Sequence, residues 1–180
     1  LILHGLAHNN TKAPTIREST LPGQPGEPTD PGDMVDMAIS EKLLVVRDHL
    51  AGGYKPVIDF DTWRVAVLNY SDDLRPENIT FMQRHNETDE VFVLLRGSCI
   101  LFLGHGDENV TQVFAEDMKP MRVYNVKKAA WHTHTLSENA KVLVVENSDT
   151  TYDNSPFCRL TALQQEGIME LTRALWGGKK

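Results

Sequence analysis

Apolar residues come in short runs along most of this chain, and the runs are separated by polar residues with glycine, asparagine or aspartate. Short apolar or alternating segments bounded by turn residues are the pattern of β-strands. Strands are expected at 43–46, 63–70, 79–85, 90–95 and 99–103, then at 110–114, 121–126, 131–135 and 141–146. Gly97-Ser98 predicts a tight turn, and the stretch 104–109 a looser one. Many short strands at this spacing describe an all-β sandwich or barrel, not alternating β and α units. Only the tail changes period. Leu163, Ile168, Leu171 and Leu175 form a stripe at helical spacing with Gly177-Gly178 behind it, which predicts a short C-terminal helix lying across the barrel.

The first 36 residues fit neither pattern. They hold Pro14, Pro22, Pro25, Pro28 and Pro31 with almost no apolar period, and Met34 and Met37 stand where the globular sequence begins. Proline removes a backbone donor and fixes φ, so 1–36 is expected to be an irregular or disordered arm, either native or foreign to the protein. The expected division is an arm at 1–36, a barrel at 37–160 and a helix at 161–178.

Composition narrows the class of function. The chain has 180 residues, 41% of them hydrophobic and 24% charged, which suits one globular domain. Eighteen Lys and Arg against 25 Asp and Glu give a net charge of -7, which argues against a nucleic-acid groove or an anionic membrane surface as partner. No apolar run approaches the ~20 residues of a membrane-spanning helix. Residues 1–3 are apolar but lack the basic flank of a signal peptide. Cys99 and Cys158 form no CxxC pair, as expected in a reducing compartment. A soluble, cytoplasmic protein is the expectation.

The chemistry concentrates in two segments. In the first, Phe81, Gln83 and His85 share one strand face while Met82 and Arg84 take the other, and Glu90 opens the next strand beyond a turn at 86–89. In the second, Trp131-His132-Thr133-His134 places His132 and His134 on one face. Two imidazoles and a carboxylate from different strands supply the neutral nitrogen and anionic oxygen donors that a borderline divalent metal takes. Spacing alone also permits a hydrogen-bonded His85–Glu90 pair without metal. Asp89 and Glu87 read as solvated turn residues. His4, His8, His49 and His105 have no partners at ligand spacing and read as surface residues. Cys99 reads as a packing residue.

These segments resemble the motifs of the cupin family. Its first motif runs Gly, five residues, His-x-His, three or four residues, Glu, six residues, Gly; here His85, Glu90 and Gly97 fall in register, with Gln83 at the first histidine and Glu77 at the leading glycine. Its second motif places a histidine just after a Pro-x-Gly turn, where this chain has His132, with Lys127 and Ala129 at the Pro and Gly positions, Met121 at the leading Gly and Leu136 at the closing Asn. The resemblance covers 60–148. It implies a cupin-type double-stranded β-helix, a jelly-roll barrel with a pocket at its mouth, assembled as a homodimer. It further implies a divalent metal (Fe, Mn, Ni or Zn) on His85, Glu90 and His132, with Gln83 where a further histidine stands in the family. His134 is placed as a pocket residue, and as a direct ligand in the alternative.

The same parity puts Phe81 and Phe92 on the inner face, with Tyr70, Tyr124 and Trp63 able to reach the rim, a lining for a small organic ligand. Arg64 is a candidate anion clamp or an exposed arginine. The expected activity is metal-dependent chemistry on a small anionic or oxygen-rich molecule, by dioxygen chemistry or by isomerase or lyase chemistry. The alternatives are a metal-free, non-enzymatic ligand-binding cupin and an interaction module that works through its arm or helix.

Overall fold

The computed structural model describes residues 39–178, and the expected arm at 1–36 lies outside them. The described residues fall into two units, 39–46 and 47–178. In the first, Ser40 organises a turn: its carbonyl accepts the amides of Leu43 and Leu44 at 2.8 and 3.1 Å, and its Oγ accepts that of Lys42 at 3.3 Å. Residues 43–46 are therefore not the expected strand. They are exposed and belong to no sheet, because a serine side chain offers the local backbone an alternative to strand pairing.

The second unit contains ten strands, two single-turn 3-10 helices (Asp72–Leu74 and Pro76–Asn78) and one α-helix. The strands are β1 (Gly53–Phe60), β2 (Trp63–Asn69), β3 (Phe81–Gln83), β4 (Glu90–Arg96), β5 (Cys99–His105), β6 (Gln112–Asp117), β7 (Val123–Val126), β8 (Trp131–Leu136), β9 (Lys141–Asn147) and β10 (Phe157–Arg159); the helix is α1 (Ala162–Trp176). They form two five-stranded sheets of order β1-β2-β9-β4-β7 and β10-β3-β8-β5-β6, with every pairing antiparallel. Apart from the hairpins β1–β2 and β5–β6, successive strands alternate between the sheets, which is the jelly-roll arrangement that the resemblance implies.

Several expected strands shift, each for a local reason. β1 has no counterpart in the sequence reading because Pro56 interrupts it; it is an edge strand, with a register shift between Pro56 and Ile58, where a missing donor is tolerated. β10 is too short for a pattern to declare itself. β3 keeps three residues of the expected 79–85, since Arg84 and Asn86 pair with the carbonyls of Pro156 and Asn154. Met121 takes a left-handed φ of 62°, so β7 begins two residues later than expected. His49, expected at the surface, is buried, and its Nε2 donates to the Gly53 carbonyl at 3.1 Å.

Strand parity sorts the side chains into two layers. Ala66, Leu68, Phe92, Leu94, Leu101, Val142 and Val144 meet between the sheets. Met82, Ile100, Phe102 and Trp131 face outward, where α1 covers them with Ile168, Leu171 and Leu175. Leu163 departs from the expected stripe and is 78% exposed, because five residues from Ile168 is about 140° away on a helix of 3.6 residues per turn. Thr161 and Gln164 close the helix start with a capping box. Cys99 packs between the sheets as expected, and burial pushes its thiol up to about 12.

Gly97 makes the turn from β4 to β5 with φ +73°, and a Cβ there would lie 2.5 Å from Ala140 Cα. Gly97→Ala combines left-handed strain with a backbone clash, so urea unfolding is expected to show a loss of more than about 2 kcal/mol, whereas an unchanged midpoint contradicts this packing.

Candidate metal centre

The inward positions near one end of the barrel form a polar row. Register pairs Arg64 with Glu146 on β2 and β9, and Val91 with Val145 on β4 and β9, which sets Glu90 beside Glu146. On the facing sheet His132 pairs with Gln83 on one side and Leu103 on the other. The next row is apolar apart from one residue: Ala66, Val144 and Phe92 face Leu101 and His134.

His85, Glu90 and His132 are all buried, and their ligand atoms lie within 4.8 Å of one another. Glu90 Oε2 is 3.1 Å from His85 Nε2 and 2.8 Å from His132 Nε2. The opposite ring nitrogens are both engaged. His132 Nδ1 donates to the Ala130 carbonyl at 3.0 Å. Ser155 Oγ donates to Asn154 Oδ1, which leaves its lone pair to accept from His85 Nδ1 at 2.8 Å. With each Nδ1 carrying its proton, a neutral ring turns an Nε2 lone pair toward the carboxylate oxygen. Two lone pairs and a carboxylate aimed at one point repel unless protons or a cation stand between them. That donor set fits a divalent metal, with Ser155 and the Ala130 carbonyl holding the rings from behind.

The backbone holds this geometry in place. Ala129 N–H donates to the His85 carbonyl at 2.7 Å, and Ala129 adopts φ 63° to do so. Asp89, expected as a solvated turn residue, instead accepts from Lys128 N–H at 2.7 Å, from Asn125 Nδ2 at 2.9 Å and from Lys127 Nζ. The Lys127 ammonium leads these contacts in holding its carboxyl at about 2. The loop that carries His85 and leads into Glu90 is thereby tied to the loop that leads into His132.

Electrostatics favour charge on this group when no metal is bound. Burial alone would push the Glu90 carboxyl up, but hydrogen bonds and charge from His132 and His85 outweigh it and hold Glu90 at about 2. Burial opposes charge on His132 as well, yet Glu90 keeps its imidazole above the ordinary value. One row along, burial brings the His134 imidazole down to about 4.

A cavity of about 440 Å³ opens on the centre. Phe81, Gln83, Phe92, His134 and Arg64 line it. Tyr70 and Tyr124 do not. The Tyr70 hydroxyl serves Asp72 and Arg75, and that of Tyr124 accepts from Lys119 N–H at 2.8 Å. Trp63 stands against Phe60 at 5.7 Å between ring centroids and is outside the lining as well. Arg84 points away from the cavity, 4.6 Å over the Trp131 ring. His105 is exposed, as expected, and His4 and His8 lie outside the described residues.

Three residues of the site escaped the sequence reading: Tyr54, Glu146 and Ser155. The Tyr54 hydroxyl donates to Glu146 Oε1, and Arg64 Nη1 lies 3.9 Å from the same oxygen. Burial and the charge of Glu90 raise the Glu146 carboxyl above its ordinary value, and burial beside Glu146 raises the Tyr54 phenol. The alternation of β9 held a usable signal, since Val142, Val144 and Glu146 share a parity and a glutamate on an inward face needs a reason to be there. Tyr54 lies in the strand hidden by Pro56, and Ser155 in a loop without pattern.

No family model matches the chain, and no curated protein does. Among solved structures, it is similar to the Streptomyces nucleoside dehydratase Pac13, solved with uridine, at a TM-score of 0.45 and 9% identity over 64% of this chain and 86% of that one. It is also similar to a cupin-2 domain protein of Shewanella frigidimarina (TM-score 0.37, 15% identity, 59% and 89% of the chains) and to KdgF from a Halomonas species (0.38, 10%, 54% and 80%). The interleaved antiparallel strand order is that of a jelly-roll barrel, the arrangement that the cupin resemblance implies. Among the described residues no helix is long and apolar enough to cross a membrane.

Two outcomes follow from this geometry. Ser155→Ala is expected to weaken zinc binding about 10- to 100-fold with little change in unfolding temperature, measured by competition with a chelating dye; unchanged affinity contradicts the role given to Ser155. In metal-free protein the Glu90 contribution to stability is present above its unfolded value of 4.5 and is lost as pH falls toward about 2. The His132 contribution is present below its unfolded value of 6.5 and is lost as pH rises through its higher folded value. Thermal unfolding of metal-free protein should therefore show greatest stability between about pH 4.5 and 6.5, and added zinc should raise the midpoint more at about pH 8 than at about pH 5.5. A zinc effect that is largest at the acid end contradicts the assignment of His132 as a ligand.

Proposed function

We propose that this protein holds a divalent metal on His85, Glu90 and His132, with Gln83 beside them, and acts on a small anionic or oxygen-rich molecule in the adjoining cavity. One observation carries the reading: two imidazoles with engaged Nδ1 atoms direct Nε2 at one oxygen of a buried carboxylate. Two nitrogens and one carboxylate leave coordination positions for a ligand oxygen, and a bound metal would supply Lewis-acid polarisation of that oxygen. The single carboxylate leaves about one positive charge in the centre, which favours a carboxylate or enolate.

Between the two reaction classes that such a centre serves, the cavity favours proton transfer over dioxygen chemistry. Glu146 lies across the strand pair from Glu90, and its contacts with Tyr54 and Arg64 both fall on Oε1. Oε2 is left to meet a ligand. A carboxyl raised by burial holds its proton more readily than an ordinary carboxylic acid, and the Tyr54 O–H steadies the form that has lost it. Glu146 is thus the candidate base that takes a proton from carbon beside a polarised carbonyl, or the acid that returns one to a leaving oxygen. Phe81 and Phe92 form apolar walls that limit water there.

Protein purified without added metal is expected to contain close to one equivalent of iron, manganese, nickel or zinc, and the double variant His85→Ala/His132→Ala to contain none. Metal-free protein that still takes up an organic ligand in the cavity supports a non-enzymatic binding cupin instead. Glu146→Gln is expected to keep its metal and to lose roughly 10²- to 10⁴-fold in turnover on a substrate found by screening carboxylates and sugar acids. Full turnover in that variant removes Glu146 from the chemistry.

A further inference from the structure

His134 is the one polar side chain in an otherwise apolar row of the barrel interior. Register places it against Leu101, and Phe92 stands across from it with ring centroids 6.0 Å apart. Its side chain borders the cavity, yet both ring nitrogens are shielded from solvent and neither has a hydrogen-bond partner among the described residues. Thr135, the next residue on the strand, shows what a structural role looks like here: its hydroxyl is satisfied by the Leu74 carbonyl at 2.7 Å. An apolar side chain at 134 would fill the row without leaving two polar atoms unpaired, so packing does not account for the imidazole.

We propose that His134 is a specificity-determining residue that hydrogen-bonds a polar group at the far end of a ligand anchored at the metal centre. The assignment rests on the metal-centred reading given above and adds the shape of the ligand. His132 and His134 share a face and stand about 6–7 Å apart along β8, at about 3.3 Å per residue. A ligand that spans them carries a chelating oxygen pair at one end and a hydroxyl or carbonyl oxygen three to four bonds further on. The apolar middle of such a chain lies against Phe92 and Val144, which also line the cavity. No hydrogen bond holds the His134 ring among the described residues, so a turn about its Cβ–Cγ bond that presents a nitrogen to that oxygen breaks none.

An isosteric pair of probes tests this without knowledge of the reaction. Zinc-loaded protein is titrated calorimetrically with acetohydroxamate, with pentanohydroxamate and with 4-hydroxybutanohydroxamate; the last two have the same chain length and differ only in a terminal methyl or hydroxyl. The wild type is expected to bind the hydroxyl-tipped probe at least 10-fold more tightly than the methyl-tipped one. His134→Leu is expected to lose that preference with unchanged zinc content and acetohydroxamate affinity, and His134→Asn, which keeps a hydrogen-bonding group, to retain part of it. The asparagine variant also decides the matter should the leucine variant not fold. Normal acetohydroxamate binding with no hydroxyl preference in the wild type, or a preference that survives in His134→Leu, overturns the assignment of His134 alone. Failure of acetohydroxamate to bind the zinc-loaded wild type overturns the metal-centred reading and the assignment together.

Discussion

Two imidazole nitrogens and one carboxylate oxygen converge inside this barrel, and that convergence is costly unless a proton or a metal ion resolves it. An ionised carboxylate with almost no solvent contact is stable only when paired. Glu90 finds its partners in His85 and His132, which reach it from the facing sheet, one from the loop after β3 and the other from β8. The surroundings follow from the need to hold three groups at one point. Asp89 ties the loop before β4 to the loop before β8, the Ala129 amide clasps the His85 carbonyl, and Ser155 reaches in from the loop before β10. Remove any of these and the donor atoms lose their common focus.

The interior is graded around that point. Below the polar row, apolar rows pack the two sheets together, and α1 seals the outer face of the sheet that carries His132. That division gives the site rigid walls on strands instead of loops, which suits a centre whose ligands must stay fixed within fractions of an ångström. Glu146 occupies the same polar row as the candidate ligands and the Tyr54 hydroxyl reaches it from β1, so proton-carrying and candidate metal-binding groups border one cavity.

Much of this was legible from parity. Once 79–85 and 131–135 are read as strands, Phe81, Gln83 and His85 must share a face, as must His132 and His134, and the structure places all five on the cavity. The rest was hidden for identifiable reasons. Pro56 disguised β1 and with it Tyr54. Ser155 acts from an irregular loop, where no period exists to read. The apolar run at 43–46 misleads in the opposite direction: Leu44 and Val45 have strand composition, but Ser40 takes the nearby amides into a turn and no sheet edge receives them. Tyr70 and Tyr124 carry aromatic rings suited to a pocket, yet their hydroxyls are engaged by neighbouring charged and backbone groups. Local polar partners decided these cases, and a one-dimensional hydrophobic pattern does not register them.

The central claim is spatial, and anomalous scattering tests it most directly. In crystals grown with one equivalent of zinc, data collected on both sides of the zinc absorption edge should place a single strong peak about 2.0–2.2 Å from His85 Nε2, His132 Nε2 and a Glu90 carboxylate oxygen. A peak elsewhere, or direct hydrogen bonds among the three side chains that persist with zinc in excess, would contradict it.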